Sequence, residues 1–436
     1  MAGAALLAAS AAPTAGPGPR SEAERAGSAL TVDDFGAKGD ARTDDGAAFT
    51  AYAGYLRHQY VAGRPPRAWR LGAGKIYVVS APIDLTNFLH YAFDGAGSTI
   101  AVNAGGVYAA LDMLGTEDVR LQNLRITCGS QASPCVNGIQ FGRATDGTTK
   151  AENNFDNIEL DGFFTQAAVY NHGSELFLAS SLIARNRYVG PAWSYALIED
   201  GTNHWPLTSS FVATSGVADS YASFTGQNFL RPVLYNKGNG PAVWMSGLGG
   251  SHSYVGGYVQ VQGDGAYPAA VLSFTDRSGF AHEATGLFWD VHAEMHPSTM
   301  FLVSGSPTPS IDGLTVRDAM VQSDTLFALD HGVASLRLLS ADMATPRFLR
   351  ATARYFDRPA AYAMTGDIAV LSAYATAWNA PGGFSGRLAS DHLSGFSFGR
   401  GVVTAQTMEG VTIVASPPGA YATPPGPAAH APTAYQ

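Results

Sequence analysis

Four ionisable side chains alternate along one short run: in F-W-D-V-H-A-E-M-H (288–296), single residues separate Asp290, His292, Glu294 and His296. If this run is a strand, those four share one face, and Leu287, Trp289, Val291, Ala293 and Met295 share the other. Successive polar members would stand roughly 7 Å apart, close enough to shift one another's pKa and to serve one bound sugar. Only 14% of the chain is charged, against roughly 25% in an ordinary soluble protein, so such density marks a candidate site. Upstream, Tyr254, Tyr258 and Gln260 alternate with Val255, Val259 and Val261. On a strand stacked beside the first, they would offer sugar stacking and hydroxyl hydrogen bonds next to the acid/base groups. A solvated polar strand face gives the same pattern without any chemistry.

Two mechanisms fit these residues. In β-elimination on a uronate, His292, helped by Asp290 or Glu294, takes the carbon-bound proton while His296 or a nearby arginine faces the carboxylate. Hydrolysis instead needs two carboxylates flanking the glycosidic bond. Asp290 and Glu294, four residues apart on an extended strand, would have Cα atoms roughly 13 Å apart, which suits a retaining pair poorly. A partner such as Asp264 or Asp318 from another segment would be required. Alternating ligands on one strand could also share a metal ion, although spacing alone is weak support and calcium prefers oxygen donors.

The elements that must hold such a face in place are short strands. Apolar pairs at alternate positions, Val119/Leu121, Leu124/Ile126, Ile158/Leu160 and Leu176/Leu178, recur with turn residues between them. Leu314, Val316, Ala319 and Val321 match Leu336, Leu338, Ala341 and Met343 at an offset of 22, the signature of stacked coils in which no turn buries its inner face alone. Residues 193–251 are less regular and suit excursions forming the walls of a groove. Arg347, Arg350, Arg354 and Arg358 recur at near-helical spacing, which reads as a basic patch or as a solvated helix face.

Ahead of the strands, Ala48, Phe49, Tyr52, Ala53, Leu56 and Tyr60 follow a helical period, behind Thr43, Asp44 and Asp45 at its start. The strings D-F-G-A-K-G-D (34–40) and T-D-D (43–45), then L-G-A-G-K-I-Y-V-V-S-A-P-I-D-L (71–85) and F-D-G-A-G-S-T-I (93–100), resemble the N-terminal motif of the pectate-lyase-like right-handed parallel β-helix proteins. That group holds polygalacturonase-like hydrolases, polysaccharide lyases, mannuronan epimerases and phage tailspikes. Ala41 departs from the pattern, where a third glycine is usual. The resemblance implies a helix covering the open end of a solenoid, and turn or cap roles for Asp33, Asp34, Asp40, Asp44 and Asp45. It supplies no catalytic residue: the N-T-D and R-I-K strings of the hydrolases and the Y-G-F-D-P-H string of the epimerases are absent, although His172-Gly173 and His331-Gly332 are present.

The net charge of −9 argues against nucleic-acid or anionic-membrane partners. The Ala- and Leu-rich start resembles an export leader without its basic residues, so that Met1 need not be the true start, and no later run is apolar enough for a membrane helix. If the chain is exported, Cys128 and Cys135 are expected to pair across G-S-Q-A-S-P. The expected protein is thus an all-β, right-handed parallel β-helix with an N-terminal capping helix, built as a leader (1–28), one coil domain (29–415) and a Pro/Ala/Gly-rich tail (416–436). It is expected to be secreted or periplasmic and to act on a polysaccharide, first as a lyase and second as a hydrolase, with a tailspike-like carbohydrate-binding protein as the non-enzymatic reading. Catalysis is placed on His292, Glu294 and Asp290, and substrate binding on His296, Tyr254, Tyr258 and Gln260. No cofactor is expected, a divalent cation is left open, and so is the oligomeric state, a trimer included.

Overall fold

The computed structural model describes residues 30–304, apart from 63–67, 104–105, 107–108, 143–151, 175, 201–226, 247–251, 264–265, 275–282 and 295–296; beyond 304 it describes ten strand segments between 310 and 413. The leader and tail expected at 1–28 and 416–436 lie outside the described residues. Two compact units are distinguished, Met1–Trp244 and Met245–Gln436, where the sequence suggests one domain over 29–415. Each is a stack of parallel β-coils, so the chain is an all-β parallel β-helix.

The first unit opens on a 3-10 turn, Val32–Phe35, closed by Gly36 at φ 100°, a left-handed conformation that glycine adopts at no steric cost. Helix Gly46–Val61 follows. Its Ala48, Phe49, Tyr52, Ala53 and Leu56 are buried as the helical period requires. Phe49 and Tyr52 lie against Trp69, which meets Phe93 edge-on at 5.3 Å, so an aromatic column joins helix to coil. The five N-terminal carboxylates are taken up locally. Asp33 accepts from Lys75 Nζ and Tyr77 Oη, both at 2.7 Å. Asp34 caps with Thr31, Asp40 accepts the Arg42 and Thr43 N–H groups, Asp44 accepts Gly46 N–H, and buried Asp45 accepts Lys38 and Gly39 N–H.

The Thr43 and Arg42 N–H groups hold the Asp40 carboxyl below its ordinary range, and the Ser80 hydroxyl followed by Gly46 N–H does the same for Asp44. A carboxylate with a lowered folded pKa contributes stability that is present above its ordinary value and lost as pH falls through the lowered one. Burial pushes Asp45 the other way, so protonation there relieves a cost. Amide exchange should therefore show protection at Thr43 and Gly46 intact above about pH 4 and lost below it, before the coils open. Uniform protection down to pH 2 would contradict these roles.

Four successive coils of the first unit each carry one strand of each of two sheets. Strands Ala92–Val102, Arg120–Cys128, Asn154–Gly162 and Leu178–Asn186 form one parallel ladder. Strands Ala109–Leu114, Cys135–Gly142, Phe164–His172 and Tyr195–Asp200 form the other. Within the first ladder every strand bends at one stacked corner, where Ala96, Asn123, Asn157 and Ser181 take φ of 51°, 54°, 54° and 55°. Asparagine tolerates this left-handed geometry because its short amide can bond locally. Here Asn157 Nδ2 donates to Asn123 Oδ1 at 3.0 Å, and Asn123 Nδ2 donates to Asp94 Oδ1 at 3.3 Å. Inside, Phe141, Phe155 and Phe177 pack ring on ring at 4.6–5.0 Å. Thus Phe177 and Ala179 point inward, and Leu176, at φ 49° and 51% exposed, does not belong to the apolar pair assigned to it from sequence.

In the second unit His252–Val261, Leu287–Glu294 and Thr315–Val316 stack in parallel. A second ladder runs through Ala270–Ser273, Phe301–Ser304 and Thr325–Leu329. The repeat of 22 residues is not a coil: Leu338 lies beside Ile311 and Met343 beside Val316, an advance of 27 residues in both cases. Alternating apolar pairs match at many offsets, so similarity alone did not fix the register. Arg354 lies in strand Arg354–Asp357, not on a helix; Arg347, Arg350 and Arg358 are outside the described residues.

Candidate active site

Leu287, Trp289, Val291 and Ala293 are each at most 1% exposed, and Trp289 packs 4.9 Å from Tyr254 and 5.1 Å from Phe301. Asp290 and His292 fall between them and are half-buried on the outer face. The side chain of Glu294 is outside the described ones, and His296 lies outside the described residues altogether. In register across the ladder, Tyr258 sits beside His292 and Gln260 beside Glu294, one strand spacing of about 4.8 Å away. Among the described residues no group of three His, Cys, Asp or Glu could hold a metal ion.

Tyr254 does not join this face. It is fully buried, because the strand carries a bulge. Three steps from Val255 to Tyr258 oppose two from Asp290 to His292, and Gly256 takes up the extra residue at φ 57°. Tyr254 is therefore inward, while Tyr258 and Gln260 remain outward. Strict alternation read across two glycines put all three on one side.

A second constellation lies in the first unit, on the outer face of the ladder that runs through Ala109–Leu114, Cys135–Gly142, Phe164–His172 and Tyr195–Asp200. Asp112, Gln140, Tyr170 and Ile198 are successive register partners. Their neighbours Leu111, Ile139, Val169 and Leu197 are all fully buried inside the coil. Tyr170 Oη donates to Asp200 Oδ2 at 2.9 Å, and the His172 ring stacks on Tyr170 with centroids 3.7 Å apart. Tyr170 is 7% and Asp200 4% exposed, whereas His172 is half-exposed. Burial, reinforced by the Asp200 carboxylate, pushes the Tyr170 phenol well above its ordinary pKa. Burial also pushes the Asp112 carboxyl up, against hydrogen bonds from Gln140 and from Leu114 N–H. Tyr195 and Trp244 pack against the small cluster of Ala167, Tyr170 and Ile198 and add aromatic surface.

Sequence reasoning passed over this cluster although it had a visible trace. The run V-Y-N-H places Tyr170 and His172 two residues apart, the same alternation that singles out Asp290 and His292. Asp200 joins them only because the coil between them has the length it has.

Beside this ladder, Cys128 and Cys135 form a disulfide around the loop 129–134. Neither a family model nor a curated protein matches the sequence. Among solved structures the chain is similar to the A-module of mannuronan C-5 epimerase AlgE4 from Azotobacter vinelandii, at 14% identity and a TM-score of 0.43 over 87% of this chain and 98% of that module. It is likewise similar to the AlgE6 A-module of the same organism, at 14% identity and 0.42 over 89% and 99%.

Proposed function

We propose that the protein is an enzyme acting on a uronate-containing polysaccharide, with Tyr170, His172, Asp200 and Gln140 as its reaction centre and β-elimination as its chemistry. The observation that carries this reading is the buried Tyr170–Asp200 hydrogen bond with His172 stacked upon it. In β-elimination a donor must offset the uronate carboxylate, a base must remove the neighbouring carbon-bound proton, and an acid must protonate the departing glycosidic oxygen. Gln140, next to Tyr170 in register, offers the amide donor. His172, the accessible member, takes the proton. Tyr170 delivers to the oxygen, as the C–O bond breaks, the proton it otherwise donates to Asp200 Oδ2, and the proton taken by His172 is afterwards returned to the phenolate. Asp200 holds that phenol in place.

Hydrolysis is less well served. Asp112 and Asp200 lie three strand spacings and two residues apart, about 16 Å between Cα atoms, beyond the roughly 5–9.5 Å that carboxylate pairs of glycosidases span. The face of Tyr258, Gln260, Asp290 and His292, in the second unit, is assigned to sugar binding in its own right. On this assignment His292→Ala raises KM several-fold and leaves kcat within about twofold, the mark of binding shared by ground and transition states. A kcat loss of orders of magnitude in that variant would return the chemistry to that face.

The test is incubation with a panel of uronate-containing and neutral polysaccharides, followed by ultraviolet absorbance of an unsaturated uronyl end and by release of reducing ends. Absorbance with new ends supports elimination, and new ends alone mean hydrolysis. Neither signal, with an altered proton NMR spectrum of the recovered polymer, means that the abstracted proton returned to the opposite side of the ring. Binding without any of these would leave a carbohydrate-binding protein.

A further inference from the structure

The loop 187–194, between Leu178–Asn186 and Tyr195–Asp200, contains no helix or strand, yet two side-chain amides hold it in turn. Gln131 Oε1 accepts Val189 N–H at 3.0 Å, while its Nε2 donates to Val189 O at 2.5 Å. Asn239 repeats the arrangement on the next residue: its Oδ1 accepts Gly190 N–H at 2.9 Å, and its Nδ2 donates to Gly190 O. Each amide thus acts as a one-residue strand partner, from 58 and 49 residues away. The loop's exit is fixed as well. Ser194 N–H donates to Asn239 O at 3.1 Å, Asn236 Nδ2 donates to Ser194 O, and Asn186 Nδ2 donates to Tyr195 O at 3.0 Å.

What this clamp delivers is Tyr195, the register partner of Ala167, which packs against the small cluster formed by Ala167, Tyr170 and Ile198. Its other end stands on the disulfide. Gln131 belongs to the exposed loop that Cys128 and Cys135 close, where Ser130 and Ser133 bridge across the turn. Exposed loops close to their own ends are otherwise free to sample many conformations, so a cross-link there holds Gln131 where it can reach Val189.

We propose that Gln131 and Asn239 are positioning residues for the reaction centre, and that through Gln131 the Cys128–Cys135 disulfide makes turnover sensitive to reduction. This rests on the reading of Tyr170, His172 and Asp200 as that centre. Dithiothreitol supplies the two electrons and two protons that convert the disulfide to two thiols, and leaves as its own cyclic disulfide.

The experiment uses the full chain. Gln131→Ala, Asn239→Ala and the pair Cys128→Ser with Cys135→Ser are compared for kcat, KM, melting temperature and the NMR signal of the Tyr170 ring, assigned by its loss in Tyr170→Phe. The expected result is a fall in kcat of about tenfold, as a small misplacement near the chemistry produces, with KM within twofold and a displaced Tyr170 signal. Asn239→Asp, which keeps the acceptor for Gly190 N–H but sets a second acceptor oxygen against Gly190 O, should not recover the loss. Because Cys128 and Cys135 are buried, dithiothreitol is applied until thiol titration shows the pair reduced; it should then displace the signal in the wild type and do nothing in the serine pair. An unmoved Tyr170 signal in all three variants overturns the proposal, as does loss of kcat only in step with melting. If the wild type turns over no uronate polymer, the functional reading fails, and the Tyr170 signal alone still decides whether the clamp reaches the cluster.

Discussion

Tyr170→Phe is expected to lower kcat by roughly a hundred- to ten-thousandfold, the range for losing a positioned acid/base group, while the coils stay folded. The phenyl ring keeps the stack with His172 and the packing against Ala167 and Ile198. What disappears is the proton donor and its bond to Asp200, which is 4% exposed. Removing one partner of a buried hydrogen bond costs about 1–3 kcal/mol, so the melting temperature should fall modestly. Asp200→Asn separates the two effects, since the amide oxygen can still accept from the phenol but carries no charge. A kcat within twofold of wild type for Tyr170→Phe would remove the reaction centre from this cluster.

The largest effect on stability is expected at Trp289→Ala, about 3–5 kcal/mol by denaturant titration. The indole is fully buried between Tyr254 and Phe301, so truncation leaves a large void inside the coil. Trp289→Phe should cost much less. The indole Nε1 is buried with no hydrogen-bond partner among the described residues, and phenylalanine removes that unpaired donor along with part of the volume. Equal losses in the two variants would mean that the site collapses around small side chains. His292→Ala, three positions on and on the outer side, should cost far less than either.

The parts legible in the sequence were those governed by short-range periodicity. The capping helix showed itself through Phe49, Tyr52 and Leu56, and the alternation from Leu287 to Ala293 separated inside from outside correctly. Two kinds of information were not local. Tyr254 required knowledge of the bulge at Gly256, since glycine in a strand is compatible with regular pleating as well as with an extra residue. The Tyr170–Asp200 pair and the true advance at Val316 and Met343 both depended on coil length, which turns of varying size leave free. Strand faces follow from alternation; which faces become neighbours follows from the loops.

The extra residue at Gly256 is absorbed within the bulge, and pairing with Leu287–Glu294 sets the facing of the strand on either side of it. Deleting one of its two glycines would set two steps against two, so the bulge would vanish while Tyr258 and Gln260 stayed outward and Val259 and Val261 inward. One residue can thus be gained or lost at this point without changing which side chains reach solvent. In a stack of coils, such a bulge is a place where chain length can drift while the decorated surface is kept.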